Sequence, residues 1–302
     1  MRESSFIEWI RSQSAFDPAR VPVGPGDDMA VVTCGGERVL VTTDQVLDGV
    51  HFVLSEHGPR AAGRKAMARG LSDVAAMAAE PLAAVATVAL PKGFAREDAE
   101  AIYAGMRRLA DELACPLVGG DVGSWSGPLA VTVTAFARPG PSGAILRSGA
   151  RAGDAICVTG SLGGAWRTKR HLTFTPRIAE ARALARTCRL HAMIDLSDGL
   201  STDLGHVCAA SGTGADVIAA AVPIHPDARA AQDPLAAAIG DGEDYELLFA
   251  LPPDEADRLV ASQPIGVPVA RVGTVVKGGE LVLVRPDGRR DPLDPTGWEH
   301  RT

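Results

Sequence analysis

Arg138-Pro139-Gly140-Pro141-Ser142-Gly143 interrupts the chain near its middle, with two prolines and two glycines in six residues. Such a run suits neither a helix interior nor a central strand, so it reads as a boundary between two folded units. The boundary sets a first unit at residues 1–138 and a second at 139–302. Upstream, the pattern predicts a short helix over 3–12 and a hairpin over 30–43 that turns at Cys34-Gly35-Gly36-Glu37. An Ala-rich helix follows over 60–79, stopped by Pro81 and weakened on propensity by Gly63 and Gly70. A buried strand over 82–90, a helix over 97–113 and strands over 116–118 and 129–137 complete the first unit. Downstream, strands are expected over 155–159, 245–251, 267–276 and 280–284, and helices over 177–187 and 200–210. No steady strand-helix-strand rhythm runs through these elements, so the fold class is α+β rather than a doubly wound sheet.

The 302 residues are 46% hydrophobic and 22% charged, the balance of a globular protein with a real core and not of a disordered chain. Aromatic residues make up only 4%, so Ala, Val and Leu must fill that core. A formal charge of -7 argues against nucleic-acid binding by a basic surface. It leaves phosphate ligands open, because a bound metal reverses the local sign. Five cysteines, an odd number with no C-x-x-C pair, fit neither a disulfide framework nor a zinc site, and point to a reducing cytoplasm. MRESSFIEWIRSQ at the start lacks the apolar core of a secretory signal. The most apolar stretch, Leu82 to Leu90, is too short to cross a membrane.

One pattern recurs: a short apolar strand runs into a small or hydroxyl residue and then an aspartate. Gly24-Pro25-Gly26 leads into Asp27-Asp28, Thr42-Thr43 into Asp44, and Gly119-Gly120 into Asp121. Ala192-Met193-Ile194 leads into Asp195, with Asp198 three residues later, and Asp73 sits on the Ala-rich helix. Taken singly, each reads as a turn former or helix N-cap. Seven acids in such settings shift the balance, since carboxylates gathered in one cleft repel unless a cation sits among them. Oxygen donors without His or Cys suit a hard ion such as Mg²⁺, and Mg²⁺ with many carboxylates suits a polyphosphate. No G-x-x-x-x-G-K-[ST] occurs and none of the four lysines follows a glycine, so a P-loop is absent. Arg147 offers a cationic contact to phosphate, or is a solvated linker residue. His51 and the acids of Gly242-Glu243-Asp244-Tyr245-Glu246 read either as ligand contacts or as structural groups. No spacing suggests a Ser-His-Asp or Cys-His arrangement.

Eight ordered segments resemble the thiamine-monophosphate kinase family, part of a superfamily that includes aminoimidazole ribonucleotide synthetase. They are GPGDDMAVV (24–32), TTDQVLDGVHF (42–52), GRKAMARGLSDVAAM (63–77), GGDVGS (119–124), RSGARAGDAICVTGSLG (147–163), MIDLSDGLSTDL (193–204), GDGEDYELLFALP (240–252) and GWEH (297–300). Val50-His51-Phe52 and the terminal Gly-Trp-x-His favour this family over its relatives. The resemblance implies a two-domain fold and a homodimer. The N-terminal sheets would pair across the dimer, and a C-terminal α/β sandwich-like domain would close an active-site cleft. It implies phosphoryl transfer from ATP to thiamine monophosphate, assisted by several Mg²⁺. Carried over by position, Asp27, Thr42, Thr43, Asp44, Asp73, Asp121, Asp195 and Asp198 are the implied metal set. Gly120, Asp121, Arg147 and Ser197 are the implied ATP contacts, with Arg147 a charge stabiliser, and His51, Glu243 and Trp298 the implied substrate contacts.

One stretch departs from the family. After Gly163 the chain passes directly through Gly164-Ala165-Trp166-Arg167-Thr168-Lys169-Arg170-His171 to the helix beyond Pro176, roughly twenty residues short of the usual domain size. That departure keeps two alternatives in play: a related ATP-dependent synthetase with another substrate, and a catalytically impaired Mg-nucleotide-binding homologue. A selenophosphate synthetase is disfavoured, because no cysteine precedes Cys34.

Overall fold

The computed structural model describes residues 3–298; Glu299 and His300 of the terminal GWEH segment lie outside them. After helix α1 (Glu3–Gln13), the first half contains β1 (Ala30–Cys34), β2 (Glu37–Leu47), α2 (Leu54–Ala76), β3 (Glu80–Pro91), α3 (Arg96–Glu112), β4 (Leu117–Trp125) and β5 (Ala130–Arg138). Its five strands form one sheet in the order β1-β2-β5-β3-β4, in which only the β3–β4 pair is parallel. Leu40, Thr42 and Val46 on β2 and Val131, Val133 and Ala135 on β5 are buried, while Thr43 and Gln45 are exposed and Thr132 and Thr134 half-buried. This alternation is that of a sheet covered on one face.

The second half contains β6 (Ala155–Thr159), α4 (Ile178–Thr187), β7 (Ala192–Asp195), α5 (Leu200–Ser211), β8 (Thr213–Ile218), α6 (Pro234–Gly240), β9 (Leu247–Leu251), α7 (Pro253–Ser262), β10 (Val269–Lys277), β11 (Leu281–Val284) and β12 (Arg290–Pro292). A mixed sheet joins its seven strands in the order β12-β11-β8-β10-β6-β9-β7. β8, α6, α7 and β12 go beyond the elements expected from the sequence. α7 nevertheless carries a plain start signal, with Pro253 at its first position and Asp254 and Glu255 in its first turn.

α2 is the element on which the two halves meet. It packs on β2 and β5 of the first sheet, on α3, and on α4 and β7 of the second half. One hydrophobic cluster accordingly runs from Leu40 and Val133 through Met67 and Leu71 to Met193, Tyr245 and Phe249. The helix begins earlier than its Ala-rich core, because Leu54–His57 form a first turn that breaks at Gly58 (φ 77°) before Pro59 restarts it. A second correction concerns the aspartates. Asp44 and Asp121 do not follow strand ends but sit inside β2 and β4. Hydrogen-bonded neighbours carry both strands through Thr-Thr and Gly-Gly.

Candidate active site

Lys65, Arg69 and Asp73 recur every fourth residue on α2, so they form one stripe along the helix. Each meets an acid or hydroxyl from another element. Lys65 Nζ lies 2.5 Å from Glu243 Oε2, Arg69 Nε donates to Asp44 Oδ2 at 3.0 Å, and Asp73 accepts from the Thr42 hydroxyl. Ser72 adds a fourth link, its hydroxyl donating to Asp195 at 2.5 Å. The stripe therefore connects the first sheet to the end of β7 and to the loop before β9.

Asp28, Asp73 and Asp195 bring one oxygen each within 4.8 Å of one another. Asp28 comes from the loop before β1, Asp73 from α2 and Asp195 from the end of β7, so only the folded chain assembles them. Burial, followed by the charge of Asp28, pushes Asp195 up to about 7. Burial and the charges of Asp44, Asp195 and Asp28 raise Asp73 well above the usual carboxylate range. Asp28 Oδ2 is buried without a hydrogen-bond partner among the described residues. A hard divalent cation fits this set, because it supplies the missing partner and offsets the mutual repulsion.

Of the two adjacent acids, Asp28 rather than Asp27 enters the group. Asp27 turns aside to accept the Arg147 N–H at 3.2 Å, and burial followed by the Asp28 charge pushes it up to about 6. The Arg147 side chain donates to Asp28 at 2.6 Å. Burial opposes its charge, but the pair with Asp28 outweighs burial and raises its pKa. Asp198 lies in a second group with Asp203 and His206. Asp203 is tied to the backbone there, accepting the N–H groups of Asp198 and Gly199 at 3.1 and 3.0 Å.

Asp27, Asp44 and Asp121 lie outside both groups. The Thr43 hydroxyl accepts from Thr134 at 3.1 Å on the other face of the sheet. Asp121 is exposed on edge strand β4, in register with Thr87. Gly120 beside it lies so close to β3 that an added Cβ would fall 1.8 Å from the Ala86 carbonyl oxygen. Ser197 and Glu243 are joined directly, the Glu243 N–H donating to the Ser197 carbonyl at 2.7 Å. His51 is buried, its Nδ1 accepting from the Leu47 N–H at 3.0 Å. Trp298 is exposed, and its N–H donates to the Asp198 carbonyl at 3.1 Å. Lys65, Arg69, Ser72, Asp203 and His206 join the sequence-derived residues, and Asp28, one of the seven acids, takes a place in the metal group that the resemblance gives to Asp27. The four-residue spacing from Lys65 to Arg69 to Asp73 was the readable signal for the first two.

The crowded carboxylates imply a pH dependence. Asp27 and Asp195 have pKa values of about 6 and about 7 against 3.8 for an ordinary aspartate. Between those limits the folded protein holds protons that the unfolded chain has released, so stability falls as pH rises. Without divalent cations, melting temperature should therefore climb as pH drops from about 8 to about 6.5, above the range in which His57, His171 and His225, whose pKa values burial lowers, begin to oppose it. Added Mg²⁺ should raise it most at the upper end. Parallel melts in chelator and in Mg²⁺ would check this, and a flat chelator series would contradict it.

Two models of AIR synthase related proteins match the chain: the N-terminal domain over residues 26–138 and the C-terminal domain over 151–285. The thiamine-monophosphate kinase of Rhodopirellula baltica is 41% identical over 311 residues, covering 99% of this chain and 97% of that protein. The thiamine-monophosphate kinase of Mycobacterium tuberculosis H37Rv is 36% identical, covering 93% and 86%. The solved structure of AaThiL complexed with AMPPCP and TMP superimposes with a TM-score of 0.85 at 27% identity, over 99% of this chain and 97% of that one.

Proposed function

The chain belongs to the AIR synthase related family, and from that premise we propose that it is a thiamine-monophosphate kinase, transferring the γ-phosphoryl group of ATP to thiamine monophosphate. The observation that carries this reading is full-length likeness, in sequence and in fold, to proteins of that name and to a structure holding an ATP analogue together with TMP. The Asp28–Asp73–Asp195 group supplies the chemistry such a reaction needs, and it opposes the reading as an impaired homologue.

We assign the metal set to Asp27, Thr42, Asp44, Asp73, Asp195 and Asp198, with Thr43 and Asp121 as expected members that stand apart from the Asp28–Asp73–Asp195 group, and extend it to Asp28, which belongs to that group and has a buried oxygen without a partner among the described residues. Mg²⁺ held there would neutralise charge on the ATP phosphates and on the acceptor. Gly120, Asp121, Arg147 and Ser197 contact ATP. Arg147 already lies beside Asp28, where its guanidinium would meet phosphate oxygens. His51, Glu243 and Trp298 receive the substrate, the indole stacking on its flat cationic ring. The acceptor phosphate is largely ionised at neutral pH, so the chain needs no strong general base. Transfer is direct and in line; a phosphoenzyme that forms and decays at the catalytic rate would overturn this step.

The domain division falls between residues 138 and 139. The protein is a homodimer, supported by the edge strand β4, where Val118, Val122 and Trp125 are 64%, 70% and 46% exposed. An unpaired apolar edge of this kind invites a second sheet. It works in the cytoplasm, in keeping with five unpaired cysteines. No helix among the described residues is long and apolar enough to cross a membrane.

The test is ADP release with Mg²⁺ and ATP, with and without thiamine monophosphate. Stimulation with thiamine diphosphate as product is expected. No stimulation in a protein that still binds Mg-ATP would return the related-synthetase and impaired-homologue readings. In the same assay Trp298→Ala should raise KM for thiamine monophosphate far more than KM for ATP. Equal effects would remove the stacking role.

A further inference from the structure

Glu243 lies in a loop held under strain. Glu243 and Tyr245 both adopt left-handed backbone, with φ of 71° and 52°. Side chains other than glycine rarely keep that conformation unless their surroundings impose it, and such residues gather at functional sites. The segment from Gly163 to Arg177 holds it here. Asp241 accepts the Gly164 N–H at 3.0 Å, and Asp244 accepts the Gly163 N–H at 2.7 Å and Arg170 at 2.9 Å. Glu246 takes two bonds from Arg177, at 2.5 and 2.8 Å. On the far side, Arg64 of α2 donates to the carbonyls of Leu172 and Phe174 at 3.0 and 2.6 Å. The stretch from Gly163 to Phe174 is thus a fixed buttress between α2 and the acidic loop.

At its centre Lys65 is fully buried. Its ammonium lies 2.5 Å from Glu243 Oε2, donates to the His51 carbonyl at 2.5 Å and meets His171 Nδ1 at 2.7 Å. Trp166 covers it, 5.3 Å from the ring centroid, and stacks on His171 at 4.4 Å. Burial opposes the Glu243 charge, but His171, Lys65 and Arg69 outweigh it and hold the carboxyl down at about 2. His171 Nε2 is buried with no hydrogen-bond partner among the described residues. Stability alone does not favour a buried ammonium over an apolar side chain of similar volume. The arrangement does link, through one side chain, two residues assigned above to substrate binding.

We propose that Lys65 and His171 are positioning residues for substrate recognition, fixing His51 and the Glu243 carboxylate at a set spacing without touching the transferred phosphoryl group. The inference rests on the thiamine-monophosphate reading. Lys65 supplies the charge and the reach, His171 orients the ammonium from the buttress, and Trp166 excludes water from both.

The experiment compares Lys65→Met, Glu243→Gln and the double variant by steady-state kinetics. Lys65→Met should raise KM for thiamine monophosphate roughly tenfold or more, while KM for ATP changes less than about twofold. The double variant should be worse than Glu243→Gln by much less than the Lys65→Met factor, because the two changes share the Glu243 carboxylate and only the bond to the His51 carbonyl is left for Lys65 to lose. His171→Asn, which keeps an acceptor for the ammonium, should recover much of what His171→Leu loses, and this pair decides the matter if Lys65→Met does not fold. Equal rises in both KM values, or multiplying effects in the double variant, would overturn the proposal. Wild-type protein unstimulated by thiamine monophosphate would instead remove the kinase reading, and this inference with it.

Discussion

Asp73→Asn abolishes turnover, by about a thousandfold or more, and leaves the protein folded. Asp73 is the α2 member of the acidic group, with Asp28 and Asp195 within 4.8 Å. The amide still accepts from the Thr42 hydroxyl, so packing is preserved. What disappears is a carboxylate that a bound Mg²⁺ would ligate and whose charged form burial and its acidic neighbours disfavour in the metal-free protein. The stability readout therefore moves opposite to the activity. In chelator at neutral pH the variant should melt higher than wild type, because one repelling carboxylate is gone. The melting shift that Mg²⁺ gives wild type should shrink. ADP release together with melts in chelator and Mg²⁺ tests all three effects. Turnover within a few-fold of wild type would take Asp73 out of the metal set.

Gly63→Ala destabilises the fold by about 3 kcal/mol, against the usual sign for glycine in a helix. On an exposed helix that change would stabilise by about 1 kcal/mol. Here a Cβ at Gly63 would lie 2.0 Å from the Ile102 carbonyl oxygen on α3. Across the same contact, a Cβ at Gly105 would lie 2.1 Å from the Arg60 carbonyl oxygen. Both obstacles are backbone, so no rotamer change relieves them and the helices must separate. Because α2 carries Lys65, Arg69 and Asp73, the folded fraction should also lose activity. Gly279→Ala, with open space around it, is the control and should stay within about 0.5 kcal/mol. Denaturant midpoints for the two variants decide the matter. A neutral Gly63→Ala would show that α2 and α3 pack less closely than described.

Gly63 shows where sequence reading goes wrong. From propensity alone it weakens a helix, yet it is the residue that lets two helices touch. The aspartates show the converse. Their recurrence after small residues points to a hard cation and a polyphosphate, although Asp44 and Asp121 lie within strands. α7 shows a third case, since its Pro-Asp-Glu start was present in the sequence and is a local signal.

The sequence by itself determined the α+β class, the main helices and strands, and an acidic set with no P-loop lysine. It could do so because periodicity, turn residues and donor chemistry act over a few neighbouring residues. Only the tertiary structure decided which acids meet. Asp27 and Asp28 are adjacent in the chain, yet one accepts a backbone N–H of Arg147 and the other joins Asp73 and Asp195. The linkage of Lys65 to Glu243, 178 positions away, likewise belongs to the fold. Direction, burial and charge coupling between such distant residues arise when α2 is packed between the two halves, and no local pattern encodes that packing.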